Sequence, residues 1–109
     1  MANTFIAVAR DGDVAENGLT RVEIDGKPIV LTRVNGKVYA LDGICTHEFA
    51  ELAQGDVEDE TIWCPLHASG FNVISGEATN PPAEDPLATY DVQVVDGAVQ
   101  ISSQPRPTT

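Results

Sequence analysis

Cys45-Thr46-His47 and Cys64-Pro65-Leu66-His67 hold every cysteine and every histidine of this chain. They form two matched groups, Cys-x-His and Cys-x-x-His, with residues 48–63 between them. Two thiolates and two imidazoles brought together from two short segments make a metal-binding set. Two kinds of centre fit it. A Cys2His2 zinc site is tetrahedral and structural, and its usual spacing puts the cysteines in one segment and the histidines in the other. This chain puts one of each in both. A 2Fe–2S cluster held by two Cys on one iron and two His on the other needs that arrangement when the segments meet face to face. A lone histidine would read as a surface residue, but no Cys or His is left over. The pattern favours the iron–sulfur centre, and a structural zinc module stays as the alternative.

The ligand set decides what such a cluster does. Four thiolates give an oxidised 2Fe–2S centre a formal charge of about −2, and two neutral imidazoles in their place bring it to about zero. An electron enters a neutral centre more easily than a dianion. Mixed-ligand clusters accordingly work at roughly −150 to +300 mV, against about −400 mV with thiolates alone. Short spacing within each group suits a tight loop, whose backbone N–H groups can point at the sulfurs and stabilise the reduced state. Pro65 stiffens the second loop and removes one N–H. Gly70 is compatible with a close backbone approach or with an ordinary loop position.

The segments Cys45-Thr46-His47 and Cys64-Pro65-Leu66-His67-Ala68-Ser69-Gly70-Phe71 resemble the two cluster-binding boxes of Rieske ferredoxins. The resemblance runs from about residue 3 to about residue 103 and is strongest to the small soluble ferredoxins that serve ring-hydroxylating dioxygenases. It implies one Rieske-type 2Fe–2S cluster bound by Cys45, His47, Cys64 and His67. It also implies that Pro81-Pro82 belong to a proline loop covering the cluster. Rieske proteins of the respiratory chain carry an extra Cys in each box, forming a disulfide. Ala50, or a close neighbour, and Leu66 stand at those positions, so no such bridge can form. Respiratory members place Ser and Tyr two and four residues after the second His, with hydroxyls on cluster sulfurs. The matching residues are Ser69, which keeps one hydroxyl or serves as a turn residue, and Phe71, which is expected to pack in the core. Trp63 is likewise expected to pack rather than to relay electrons.

The elements that must position these residues read as strands. Thr4 to Ala9, Leu19 to Ile24, Ile29 to Val34 and Lys37 to Leu41 are expected as the first four. Asp25-Gly26 and Asn35-Gly36 between apolar alternations are strong hairpin signals. Pro28 sits at a strand start, where a missing N–H is tolerated. Thr61-Ile62-Trp63 and Phe71-Asn72-Val73 are short strands beside the second box. Leu87 to Val95 alternates, with Ala88, Tyr90, Val92 and Val94 on one face. Asp96-Gly97 turns the chain into Ala98 to Ile101. No helix is expected beyond one turn between Glu48 and Leu52. The fold class is therefore all-β, and the resemblance makes it a Rieske-type antiparallel β-sandwich base with a small inserted cluster-binding lobe. One domain spans 1–109, with base strands at about 3–43 and 87–103, the lobe at about 44–80, the proline loop at about 80–86 and a frayed tail at 104–109.

Composition narrows the function further. The formal net charge is −11, from seventeen acids and six bases. This excludes nucleic acid as a partner and is compatible with steering toward basic surfaces on redox proteins. The start of the chain lacks the basic segment and long apolar run of a secretory signal, and no stretch reaches membrane-spanning length. With no disulfide candidates this points to the cytoplasm. The resemblance implies a monomeric one-electron carrier, not an enzyme, taking electrons from an NAD(P)H-dependent flavin reductase and delivering them to a terminal oxygenase of aromatic-ring hydroxylation. The alternative is a small Rieske electron-transfer subunit of a reductase, such as assimilatory nitrite reductase. An oxygenase proper would need a further iron held by two His and a carboxylate, and both His are already committed.

Overall fold

The computed structural model describes residues 4–45, 51–65, 69–80 and 86–106. Its described elements are strands, apart from two single 3-10 turns at Asp11–Asp13 and Leu52–Gln54. Eleven strands are defined among the described residues: β1 (Phe5–Arg10), β2 (Thr20–Ile24), β3 (Lys27–Val34), β4 (Lys37–Asp42), β5 (Asp56–Glu58), β6 (Thr61–Trp63), β7 (Gly70–Asn72), β8 (Ala78–Asn80), β9 (Thr89–Tyr90), β10 (Val92–Val95) and β11 (Ala98–Ser102). They form three antiparallel sheets, ordered β1-β11-β10, β2-β3-β4-β9 and β5-β6-β7-β8. The all-β class read from the sequence is the one observed.

Three tight hairpins follow from their turn residues. Asp25-Gly26, Asn35-Gly36 and Asp96-Gly97 all have positive φ at both positions. That conformation matches the right-handed twist of the flanking strands and favours Asp or Asn followed by Gly. The β5–β6 hairpin turns at Asp59, also at positive φ, but lacks the glycine that marks such a turn. This is why β5 escaped the sequence reading. β8 escaped it as well.

The middle sheet is buried on both faces. Along β3, Ile29 and Leu31 point to one side and Val30 and Val34 to the other, and all four are fully or almost fully buried. Ile29 and Leu31 join Val14, Ile24, Val38, Ala40, Tyr90, Val99 and Ile101 in a core shared with the β1-β11-β10 sheet. Val30 and Val34 join Leu41, Cys45, Leu52, Ile62, Cys64, Phe71, Val73 and Leu87 in a second core shared with the β5–β8 sheet. The lobe is thus a third layer on the back of the sandwich. It is inserted between β4 and β9, which pair directly at Ala40–Tyr90 and Leu41–Thr89.

The expected single strand from Leu87 to Val95 is two. It breaks at Asp91, where β9 leaves the middle sheet and β10 enters the other. Ser102 pins the break: its N–H donates to the Asp91 carbonyl at 3.0 Å and its hydroxyl accepts from the Asp91 N–H at 3.1 Å. The alternating apolar face does not survive the change of sheet, since Tyr90 is buried and Val94 is exposed. The tail stays against the base as far as Arg106, whose N–H donates to the Thr89 carbonyl at 2.7 Å.

Candidate metal centre

β4 delivers Cys45 into the site. Past its last residue, Asp42, the Gly43 N–H donates to the Pro28 carbonyl at 3.0 Å and the Gly43 carbonyl accepts from Leu52 N–H at 2.8 Å. Ile44 then pairs with Glu51 in an isolated antiparallel bridge. Cys45 follows directly on this bridge. β6 delivers Cys64 in the same manner. Trp63 pairs with Gly70, and the Cys64 N–H donates to the Ser69 carbonyl at 2.9 Å. Each cysteine therefore sits directly after an antiparallel pairing, Ile44–Glu51 for Cys45 and Trp63–Gly70 for Cys64.

Neither thiol is in a disulfide, with Cys45 completely buried and Cys64 at 4% exposure. They lie in one core with Leu52, Ile62, Phe71 and Leu87. Two buried, unbridged thiols, each placed directly after an antiparallel pairing, suit the thiolate side of a metal cluster. The apolar surround keeps water away, which is one of the means by which a protein tunes the potential of such a centre. His47 and His67 lie outside the described residues, as do Ala50, Leu66, Pro81 and Pro82.

The neighbours separate the remaining expectations. Ser69 is completely buried, one residue before β7. Phe71 is a fully buried core residue, as expected. Trp63 is only half-buried, because strand alternation turns Ile62 inward and Trp63 outward. Its ring covers Gly70 instead: a Cβ there would lie 3.0 Å from the ring and 2.9 Å from the Thr61 methyl. Gly70 is thus a site of close approach, not an ordinary loop glycine. Gly55 is tighter still, since a Cβ would run into the carbonyl oxygen of Trp63.

Two side-chain braces around the first loop had no mark in the sequence. Arg21 on β2 donates from Nε to Glu51 Oε1 at 2.9 Å and from Nη1 to Glu23 Oε2 at 2.7 Å. Glu51 first, then Glu23, raise the guanidinium pKa above its ordinary value. On the other flank, Tyr90 donates to Asp42 Oδ1 at 2.7 Å, with Lys27 Nζ 3.4 Å from the same oxygen. Arg21 and Glu51, and Tyr90 and Asp42, are far apart in sequence and belong to no local pattern.

Comparison with known proteins agrees with this geometry. The Rieske [2Fe-2S] domain matches residues 4–91. The ferredoxin component of the naphthalene 1,2-dioxygenase/salicylate 5-hydroxylase systems of Ralstonia sp is 34% identical over 104 residues, covering 95% of this chain and 100% of that protein. A solved complex of reduced oxygenase and oxidised ferredoxin in carbazole 1,9a-dioxygenase contains a chain that superposes with a TM-score of 0.89 at 30% identity, over 94% of this chain and 96% of that one. A nitrite reductase NADPH small subunit superposes with a TM-score of 0.79 over 90% and 97% of the two chains, but at 24% identity it shares the fold alone. The two buried thiols fit the single Rieske-type cluster that this match implies. The chain belongs to the Rieske [2Fe-2S] family, among the ferredoxin components of aromatic dioxygenase systems.

Proposed function

We propose that Cys45 and Cys64 hold one iron of the cluster, that His47 and His67 hold the other, and that the protein is a one-electron carrier with no catalytic activity of its own. The observation that carries this is the pair of buried, unbridged thiols, each directly after an antiparallel pairing and each followed in sequence by a histidine. Its electron donor is a flavin-dependent, NAD(P)H-oxidising ferredoxin reductase, and its acceptor is the terminal oxygenase of an aromatic-ring hydroxylating system. The ferredoxin relatives named above support both partners. Residues 1–109 act as one domain, since the middle sheet contributes to both cores. The carrier works as a cytoplasmic monomer. No helix of the described residues is long and apolar enough to cross a membrane, and the charge of −11 argues against nucleic acid.

The test is spectroscopic first and functional second. Purified protein is expected to be red-brown. When reduced, it should give a paramagnetic resonance signal with an average g below that of all-thiolate clusters, since nitrogen ligation makes the two irons unequal. Alanine at any one of the four ligands should abolish that signal. A colourless protein carrying one zinc would overturn the reading. Added in catalytic amounts to a reductase and an oxygenase that do not react directly, the carrier should restore product formation. A permanent reductase subunit would instead copurify with its partner and fail to turn over in this mixture.

A further inference from the structure

Three strands converge beneath the loop that begins at Cys45. Asp42 is the last residue of β4, three residues before that cysteine. Tyr90, on β9, is 4% exposed and donates its phenol O–H to Asp42 Oδ1 at 2.7 Å. Lys27, at the start of β3, reaches the same oxygen at 3.4 Å and lies 5.3 Å from the centre of the Tyr90 ring. Backbone bonds reinforce the junction. The Asp42 N–H donates to the Ala88 carbonyl at 2.9 Å, and the Gly43 N–H donates to that of Pro28 at 3.0 Å. Asp42 is therefore gripped through main chain and side chain together. Its partners Ala88 and Tyr90 stand on the segment by which the chain returns from residues 81–85.

The geometry points to Asp42 and Tyr90 as positioning residues for the cluster: their bond fixes the end of β4, and through it the placement of Cys45 against Cys64. This rests on the reading that both cysteines are ligands. A buried phenol requires a partner for its hydroxyl, and a carboxylate gives it the stronger, charge-assisted kind of bond. Asp42 is the acceptor because its side chain is partly shielded, at 28% exposure, and Lys27 offsets its charge. Without the phenol, the Asp42 side chain keeps an ammonium on a flexible stem, and the strand end is held by its backbone bonds alone. Less restraint on the strand end is less restraint on Cys45, three residues on. Residues that orient metal ligands from outside the coordination shell act in this way.

Tyr90→Phe removes the hydroxyl and keeps the ring beneath Lys27. Asp42→Asn removes the charge and keeps an acceptor for the phenol. Both are made in the cluster-loaded protein. Three measurements are compared with wild type: the spread of g values in the reduced state, the rate at which a strong iron chelator bleaches the cluster, and hydrogen exchange in a peptide spanning 42–52. Tyr90→Phe is expected to broaden the g spread, to bleach at least about three-fold faster (below the 10–100-fold typical of a ligand's direct partner), and to speed exchange in 42–52 but not in β2. Asp42→Asn, which leaves a weaker neutral acceptor, should fall between wild type and Tyr90→Phe. Ile101→Val, in the core between the other two sheets, controls for general loss of stability and should leave the bleaching rate unchanged. A Tyr90→Phe protein with wild-type spectrum, bleaching and exchange overturns the proposal, as does bleaching that speeds up equally in Ile101→Val. A wild-type protein without a cluster would instead overturn the ligand assignment.

Discussion

At the residue scale, the cysteines and their neighbours show how burial divides the work. Ser69 is the residue expected to set the potential. By resemblance its hydroxyl donates to a cluster sulfur, and that bond strengthens when the sulfur gains charge. A bond worth about 1 kcal/mol more in the reduced state corresponds to roughly 40 mV for a one-electron couple, from 59 mV per tenfold change in equilibrium constant. Ser69→Ala should therefore lower the midpoint potential by some tens of millivolts in a redox titration, with the cluster retained. An unchanged potential would leave Ser69 as a turn residue. Thr32 gives a second prediction at this scale. It is fully buried in the middle of β3, and its hydroxyl has no hydrogen-bond partner among the described residues. Leaving a buried hydroxyl unpaired costs about 1–3 kcal/mol, whereas a methyl of the same shape costs nothing in desolvation. Thr32→Val should stabilise the protein by about 1 kcal/mol, read as a higher midpoint in urea unfolding at constant slope.

At the scale of elements, the hairpins with Asp-Gly or Asn-Gly were legible because their turn chemistry is local. The strands of the lobe were only half legible. β6 and β7 flank the second box and carry apolar residues. β5 is Asp56-Val57-Glu58, acidic on its outer face, and it becomes a strand by pairing with β6 in the register Asp56–Trp63, Val57–Ile62 and Glu58–Thr61. Gly55 is what allows that hairpin to close onto the 3-10 turn before it. The Gly55 N–H donates to the Leu52 carbonyl at 2.9 Å, and the Trp63 carbonyl fills the space where a side chain would start. Gly55→Ala must push backbone against backbone, which no rotamer change relieves. A loss of about 2 kcal/mol or more, with Cys64 displaced, should appear as early thermal bleaching of the cluster. Bleaching and unfolding at wild-type temperatures would show that the lobe can yield at this point.

For the whole molecule, charge dominates. At least four of the six bases are already engaged in ion pairs, Arg21 with Glu23 and Glu51, Lys27 with Asp42, Arg33 with Asp11 and Arg106 with Asp91. The surplus acids are left to define the outer field. If that field steers encounter, reduction by a partner reductase should slow as salt rises, because exposed charges are screened over about 8–10 Å at 0.10–0.15 M. Rates independent of ionic strength would reduce the charge to a solubility device. Alkaline pH tests a more local balance. Burial raises the Tyr90 pKa above its ordinary value, Lys27 opposes, and the bond to Asp42 adds to the rise. Contact with Tyr90 raises that of Lys27. In both cases the folded protein keeps a proton that the unfolded chain releases. The stabilisation is thus complete below about pH 10 and is lost as pH rises through the folded values. Melting temperatures should fall above about pH 10, and Tyr90→Phe should flatten that fall.

The metal-binding residue set and the class of fold are legible in the sequence alone. Four residues at fixed short spacings restrict the possible metals, and alternation with local turns makes strands, because both depend on neighbours a few positions apart. The sequence also marked Phe71 as a core residue. Tertiary structure decided the rest. It split Leu87–Val95 at Asp91, since an alternating pattern does not say which sheet each half joins. It turned Trp63 outward over Gly70, made acidic Asp56–Glu58 a strand, and brought Arg21 to Glu51 and Tyr90 to Asp42. The last two pairs lie 30 and 48 residues apart along the chain. No local period connects such partners. They meet because β4 and β9 pair across the inserted lobe, and because β2 borders a sheet whose other face carries it.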